Sequence, residues 1–166
     1  MHEYPDDLGR LRQVLQRDGL RALVAHLNQL TQHRFTSLYR FEREQLESIC
    51  FYDRENPAQT STPGVPVLAS YCVFVRDSAL PFQTPDSLCD PRVDGHPKRG
   101  VVRAYCGVPL VGEDGRVFGS VCHFDYEPRA LTAANLELLE TVATLLNEEF
   151  AAGLSGADPQ LSAAGR

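Results

Sequence analysis

Between Asp6 and Gln32 apolar side chains return at intervals of three and four: Leu8, Leu11, Val14 and Leu15, then, beyond Asp18-Gly19, Leu20, Leu23, Val24, Leu27 and Leu30. On a 3.6-residue period these share a face, so the segment predicts two amphipathic helices or one broken helix. At Arg34 the period drops to two. The runs RFTSLYRFE (34–42) and QLESICFYD (45–53) alternate apolar and polar positions around a short Arg43-Glu44 turn, the pattern of a β-hairpin.

The pattern then breaks up. RENPAQTSTPGVP, rich in Pro, Gly, Thr and Ser, reads as a surface loop. VLASYCVFV reads as a helical turn running into a strand, although short apolar runs of this kind fit helix and strand alike. LPFQTPDSLCDPRVDGHPKRG, interrupted by four prolines and two glycines, predicts a long crossover with one short strand at Leu80 to Gln83 and one helical turn near Asp86 to Cys89. Loops of this length inside a compact domain tend to be functional.

Alternation returns on either side of Gly112-Glu113-Asp114-Gly115, a tight turn in which glycine supplies the positive φ. In these strands Gly107 and Gly119 leave room for another element to come close, and Pro109 suits a position that needs no ladder donor. Thr132 is placed to cap a final helix, running to about Ala152 and stopped by Gly153. Its stripe of Leu136, Leu139, Ala143, Leu146 and Phe150 is widened by Leu138, Val142 and Leu145. That is more apolar width than one sheet contact needs, so a second packing partner is expected.

Length and charge narrow the classes. A chain of 166 residues suits one domain, read here as residues 1–152 with N-terminal helices from about 6 to 32 and a disordered polar tail over 153–166. The net charge of −6 argues against nucleic acid and anionic membranes as partners. No uncharged apolar run of spanning length occurs and the first residues are acidic, which gives a cytoplasmic expectation. Cys50, Cys72, Cys89, Cys106 and Cys122 form an odd set without repeated spacing, unlike a disulfide framework or a zinc site, so no metal is expected. Cys106 and Cys122 read as small core hydrophobes and His123 as a structural histidine. Asp125 anchors the turn before Pro128. No nucleophile can be placed beside a base, and no Walker-type or dinucleotide glycine loop is present.

Two segments carry a family resemblance. SYCVFVRDSALPFQTPDSLCDPRV contains a Ser-aromatic-Cys turn followed by an Asp-Pro-Arg loop. VRAYCGVPLVGEDGRVFGSVCHFDYEPRALT contains a Gly-Val-Pro-Leu strand, a Gly turn, a Gly-x-x-Cys strand and a Pro-Arg-x-Leu-Thr helix entry. In order and spacing, over roughly Leu20 to Phe150, the chain resembles GAF domains, a family of small-molecule sensory modules. The resemblance implies an α+β fold (an α/β sandwich): a central antiparallel sheet of about six strands, terminal helices on one face, and crossover loops and short helices covering a pocket on the other.

Pocket walls are then expected from Tyr71, Phe74, Phe82 and Tyr105, with Ser70, Cys72, Asp86, Asp90 and Arg92 as the polar groups that fix a ligand. If Arg92 faces the cavity, the ligand is an anion such as a nucleotide phosphate or a carboxylate. The competing reading is that Asp90 and Arg92 hold the crossover by bonding its backbone. Cys72 and Cys89 are the candidate redox pair, since a subgroup of the family, the free methionine-(R)-sulfoxide reductases, uses pocket cysteines. The stretch Gly95 to Arg99, where those enzymes carry an essential cysteine, has none. Bilin photoreceptors share the fold, but the only Cys-His here, Cys122-His123, lies in the final strand, so no covalent pigment is expected. The reading that results is a non-enzymatic sensor of bacterial-regulator type, homodimeric through its terminal helices and signalling to a separate output protein. The alternatives are a thiol redox enzyme or switch, and a dimerisation module without ligand.

Overall fold

The computed structural model describes residues 8–154. Residues 6 and 7 of the expected first helix, and the expected tail from residue 155, lie outside the described residues. Helix α1 (Leu8–Asp18) and helix α2 (Leu20–Gln29) are separate because Gly19 takes φ 91, a conformation that breaks the helix and suits glycine. Strands β1 (Phe35–Glu42) and β2 (Gln45–Asp53) form the expected hairpin. The loop that follows donates a two-residue edge strand, β3 (Val65–Pro66). After the crossover come β4 (Phe82–Thr84), β5 (Ala104–Val111), β6 (Val117–Asp125) and helix α4 (Ala133–Ala151). The six strands form one antiparallel sheet in the order β3-β2-β1-β6-β5-β4. This is the six-stranded α+β arrangement expected.

Alternation along each strand divides the core in two. On one face Leu38, Cys50, Cys106, Val108, Leu110 and Val121 pack under α1, α2 and α4 through Leu11, Leu23, Leu27, Leu139, Val142 and Leu146. Each such fully buried leucine contributes about 1.5–3 kcal/mol relative to exposure. On the other face Tyr39, Tyr105 and Cys122 pack against Tyr71, Cys72 and Val75 of the crossover. Thr132 Oγ1 accepts from Asn135 N–H at 3.1 Å and caps α4, which ends before Gly153 at φ 116. The extra apolar width of α4 is used within the chain. Helix α1 packs on it, and Arg12 pairs with Glu148 and Glu149 at their shared end. The width therefore does not by itself call for a second chain.

The crossover departs from the pattern reading in one element. Instead of a strand after the first turn, Val67–Ala69 is a 3-10 turn and Cys72–Ser78 is helix α3. Ser70 Oγ accepts from Cys72 N–H at 3.1 Å and opens the helix. Tyr71, Cys72 and Val75 then point inward at helical spacing while Asp77 and Ser78 face solvent. Burial decides here, overriding the β preference of Val73 and Val75. Strand β4 starts at Phe82 rather than Leu80, whose side chain is exposed. The turn at Ser87–Cys89 forms as expected, capped by Asp86, and a second one follows at Pro91–Val93.

Candidate functional site

A cavity of about 340 Å³ opens between the 59–65 loop, the 98–102 segment and the crossover-side face of β1, β6 and β5. Its walls are aromatic, with Phe35 and Tyr39 from β1, Tyr71 from the crossover, Tyr105 from β5 and Phe124 from β6. They share a wall because register aligns them: Phe35 pairs with Phe124, Tyr105 pairs with Phe124 on the other side, and Tyr39 with Ser120. Phe35 and Phe124 stack at 4.8 Å.

At the inner end every group is buried. Cys72, Cys122 and Tyr105 all border the cavity and are at most 3% exposed. Cys72 Sγ lies 3.1 Å from Tyr105 Oη, and Ser120 Oγ–H donates to it at 3.3 Å. The Tyr105 ring lies along β5 over Gly107, where a Cβ would run into its hydroxyl and ring. Gly107 thus makes room for a side chain of its own strand. Gly119, by contrast, admits the Tyr39 carbonyl of β1, the close backbone approach its sequence position suggests. Burial raises the Cys72 pKa, but the surrounding thiol and hydroxyl groups of Cys122, Ser120, Ser70 and Tyr105 outweigh that and lower it. Burial, reinforced by the Cys72 thiolate, pushes Cys122 and Tyr105 well up.

The outer end is polar. Arg34 Nε and Nη2 donate to the two Asp53 oxygens at 2.8 and 2.9 Å, and this hydrogen-bonded pairing holds the Asp53 carboxyl below the usual range. The Arg34 guanidinium also lies 4.8 Å from the Phe35 ring centre and 5.6 Å from that of Tyr126. Lys98 borders the cavity and has no ion-pair partner among the described residues. Its backbone is held by His96: Lys98 N–H donates to His96 Nδ1 at 3.0 Å, so the proton sits on Nε2, which donates to the Ser70 carbonyl at 3.1 Å. Tyr71 Oη–H donates to Val102 O at 2.9 Å. These bonds tie the start of α3 to the 96–102 segment.

Of the residues expected to bind ligand, Ser70, Tyr71, Cys72 and Tyr105 border the cavity, and Phe74, Phe82, Asp86, Asp90 and Arg92 do not. Phe74 and Phe82 stack on each other at 4.6 Å, with the Arg92 guanidinium 4.6 Å over Phe82. Asp86 accepts from Leu88 N–H and pairs through both oxygens with Arg103 at 2.9 and 3.0 Å. Asp90 accepts from Arg92 N–H, Nε and Nη2, which brings it down to about 2, and Arg92 Nη2 also donates to Gln83 O at 2.7 Å. Asp90 and Arg92 therefore hold the crossover, the second of the two readings drawn from sequence. Cys89 is exposed, its sulfur 3.6 Å from Asp86 Oδ2. The cysteine that shares the cavity and its core cluster with Cys72 is instead Cys122.

Pattern reading missed Arg34, Asp53, Lys98, Cys122, Phe124 and Tyr126. The alternation of the first hairpin already placed Phe35 and Tyr39 on one face. Only the pairing of β1 with β6 says that Cys122 and Phe124 join them.

A second buried polar cluster sits on the opposite face. Asn28 Nδ2–H donates to Thr36 Oγ1 at 2.9 Å, leaving the Thr36 hydroxyl to donate to His123 Nδ1 at 2.7 Å. The His123 ring stacks on His33 at 5.8 Å. Burial lowers His33 to about 4 and His123 to about 3. Among the described residues no three His, Cys, Asp or Glu side chains converge as metal ligands would, and no helix is long and apolar enough to cross a membrane.

Comparison with known proteins gives the same frame. A family model described as GAF domain matches residues 17–150. A cyclic di-GMP phosphodiesterase of Pseudomonas aeruginosa is 33% identical over 84 residues, 46% of this chain, and the match spans only 14% of that relative's length. The solved GAF domain of an Acinetobacter phosphoenolpyruvate-protein phosphotransferase aligns with a TM-score of 0.70 at 16% identity, over 91% of this chain and 95% of that one. A free methionine-R-sulfoxide reductase of Neisseria meningitidis, solved with its substrate, aligns with a TM-score of 0.70 at 17% identity, over 89% and 87% of the two chains. At these identities the structural likeness establishes the fold alone.

Proposed function

Since the chain belongs to the GAF domain family, whose members are small-molecule sensing and regulatory domains, we propose that it takes up a flat organic anion of carboxylate or phosphate class in the cavity and acts as a sensor rather than an enzyme. The observation that carries this reading is the lining itself: aromatic walls from Phe35, Tyr71, Tyr105 and Phe124, with Lys98 as a cation free to meet an anionic group. A mostly apolar cleft with a few convergent polar groups is the usual form of a ligand site. Arg92, the cation expected from sequence, is replaced in this role by Lys98.

Ligand uptake would be read out through packing. The 96–102 segment and α3 are linked by Tyr71 and His96, and α3 packs on β5 and β6, whose other face carries α4. A ligand shifts that packing only by differential affinity for two arrangements, and the shift would pass to a separate output protein. Native mass spectrometry of the purified protein, beside an Ala69→Trp variant that fills the cavity, tests the reading. Wild type is expected to retain a small molecule, or to gain melting temperature with aromatic carboxylates or nucleotides, while the variant does neither. Equal behaviour of the two proteins overturns ligand uptake in this cavity. Turnover of free methionine (R)-sulfoxide overturns the non-enzymatic part.

A further inference from the structure

The inner end of the cavity holds two thiols to which ligand binding gives no task. We propose that Cys72 and Cys122 are a peroxide-sensitive thiol pair, oxidised through the cavity to a disulfide that pins α3 to β6. Both residues are fully buried, both line the cavity, and they belong to elements that pack directly on each other. Groups from two strands converge on the Cys72 sulfur, Tyr105 Oη from β5 at 3.1 Å and Ser120 Oγ from β6 at 3.3 Å, and Cys122 follows Ser120 by two residues on the same face of β6, opposite the Gly107 over which Tyr105 lies. The arrangement depends on Gly107, the partner of Cys122 in the β5–β6 ladder, because only a residue without Cβ lets the Tyr105 ring lie there.

The two thiols are unequal in the way such chemistry requires. Surrounding donors lower Cys72 while burial raises Cys122 and Tyr105, which makes Cys72 the readier of the two thiols to lose its proton. Cys50 and Cys106 lie in the other core layer, and burial pushes them up to about 11 and about 12. Cys89 sits alone on the surface. The oxidant is hydrogen peroxide. The Cys72 thiolate attacks one peroxide oxygen, the O–O bond breaks, and the departing hydroxide takes up a proton to leave as water, giving a sulfenic acid. Cys122 sulfur then attacks Cys72 sulfur and expels hydroxide, which combines with the proton lost from Cys122. Two thiols and one peroxide become one disulfide and two waters. The cross-link removes the thiolate to which Tyr105 and Ser120 donate, so the same event reshapes the cavity floor. It needs no bound ligand and stands independently of the sensor reading.

The test is hydrogen peroxide treatment of the full chain, then denaturation, alkylation of the remaining thiols and peptide mapping. The expected product has lost two hydrogens, recovers them with reductant, and joins the peptides holding Cys72 and Cys122. A Cys122→Ser variant should stop at a Cys72 sulfenic acid that dimedone traps. Tyr105→Phe should move the pH profile of Cys72 oxidation upward and slow it roughly tenfold at neutral pH, one pKa unit being a factor of ten. Should either variant lose its circular dichroism spectrum, mapping of the wild type decides alone. Oxidation confined to Cys89, or both Cys72 and Cys122 alkylated in full after peroxide, overturns the proposal.

Discussion

Gly107 shows how much of this site hangs on a single absent carbon. Tyr105 reaches Cys72 only because its ring lies over Gly107, and a Cβ at that position meets the phenol hydroxyl and ring directly. Gly107→Ala should therefore eject Tyr105 from its place, cost about 1–3 kcal/mol as overpacked cores do, and remove one donor from Cys72. Urea unfolding measures the first effect, and the rate of Cys72 alkylation at neutral pH, expected to fall, measures the second. Unchanged values would place Tyr105 elsewhere. The sequence announces that glycine as a position of close approach, yet what approaches is the side chain two residues back, which period-two alternation puts on the same face but cannot bend along the strand. The same limit explains Arg92. Its neighbours in sequence suggest an anion site, but Asp90 two residues away and the Gln83 carbonyl already take its donors.

At the scale of elements, the hairpins and terminal helices are legible because long periodic runs and their breakers agree, down to Thr132 as cap and Gly19 as break. Helix α3 is not, because the five-residue apolar run that opens it, Tyr71 to Val75, has no period of its own and takes helical form from what it is packed against. The cavity was likewise legible only from the crossover and from Tyr105 of β5. Its opposite wall comes from β1 and β6, brought together by a register that no local signal encodes. Helix α3 also carries a testable cost. It ends on Ala79 at φ 57 and ψ 25, with Ala79 N–H bonded to the Val75 carbonyl at 2.9 Å. A left-handed C-terminal residue is the place for glycine, and Ala79 is exposed, so nothing is lost with its methyl. Ala79→Gly is expected to stabilise the protein by about 0.5–1 kcal/mol, seen as a rise in melting temperature of a few degrees. A fall would mean that the gain in unfolded-chain entropy outweighs the relieved strain.

The whole molecule is two polar clusters set into opposite faces of one sheet, and they answer to acid differently. His33 and His123 are buried neutral; protonation of His33 opposes that of His123, Asp125 favours protonation of His33, Arg129 opposes it, and Arg54 opposes protonation of both. Their folded pKa values lie below the unfolded value of 6.5, so between those limits the unfolded chain binds more protons than the folded one. Stability should therefore fall as pH drops through 6.5 toward about 4 for His33 and about 3 for His123. Asp53, Asp90 and Asp125 are held low in the folded state and add to the loss only as pH falls past their ordinary value of 3.8. Cys72 and His96, also lowered in the folded state, act in the same direction in the upper part of the range, so only the difference between wild type and a His123 variant isolates His123. His123→Asn removes one titrating group and keeps an acceptor for the Thr36 hydroxyl. Urea unfolding of both proteins at intervals from pH 7 to pH 4.5 should show a decline in wild type that is clearly shallower in the variant, whatever the variant's stability at pH 7. Parallel curves would mean that His123 titrates in the folded protein as it does in the unfolded chain, and so that burial does not hold it neutral.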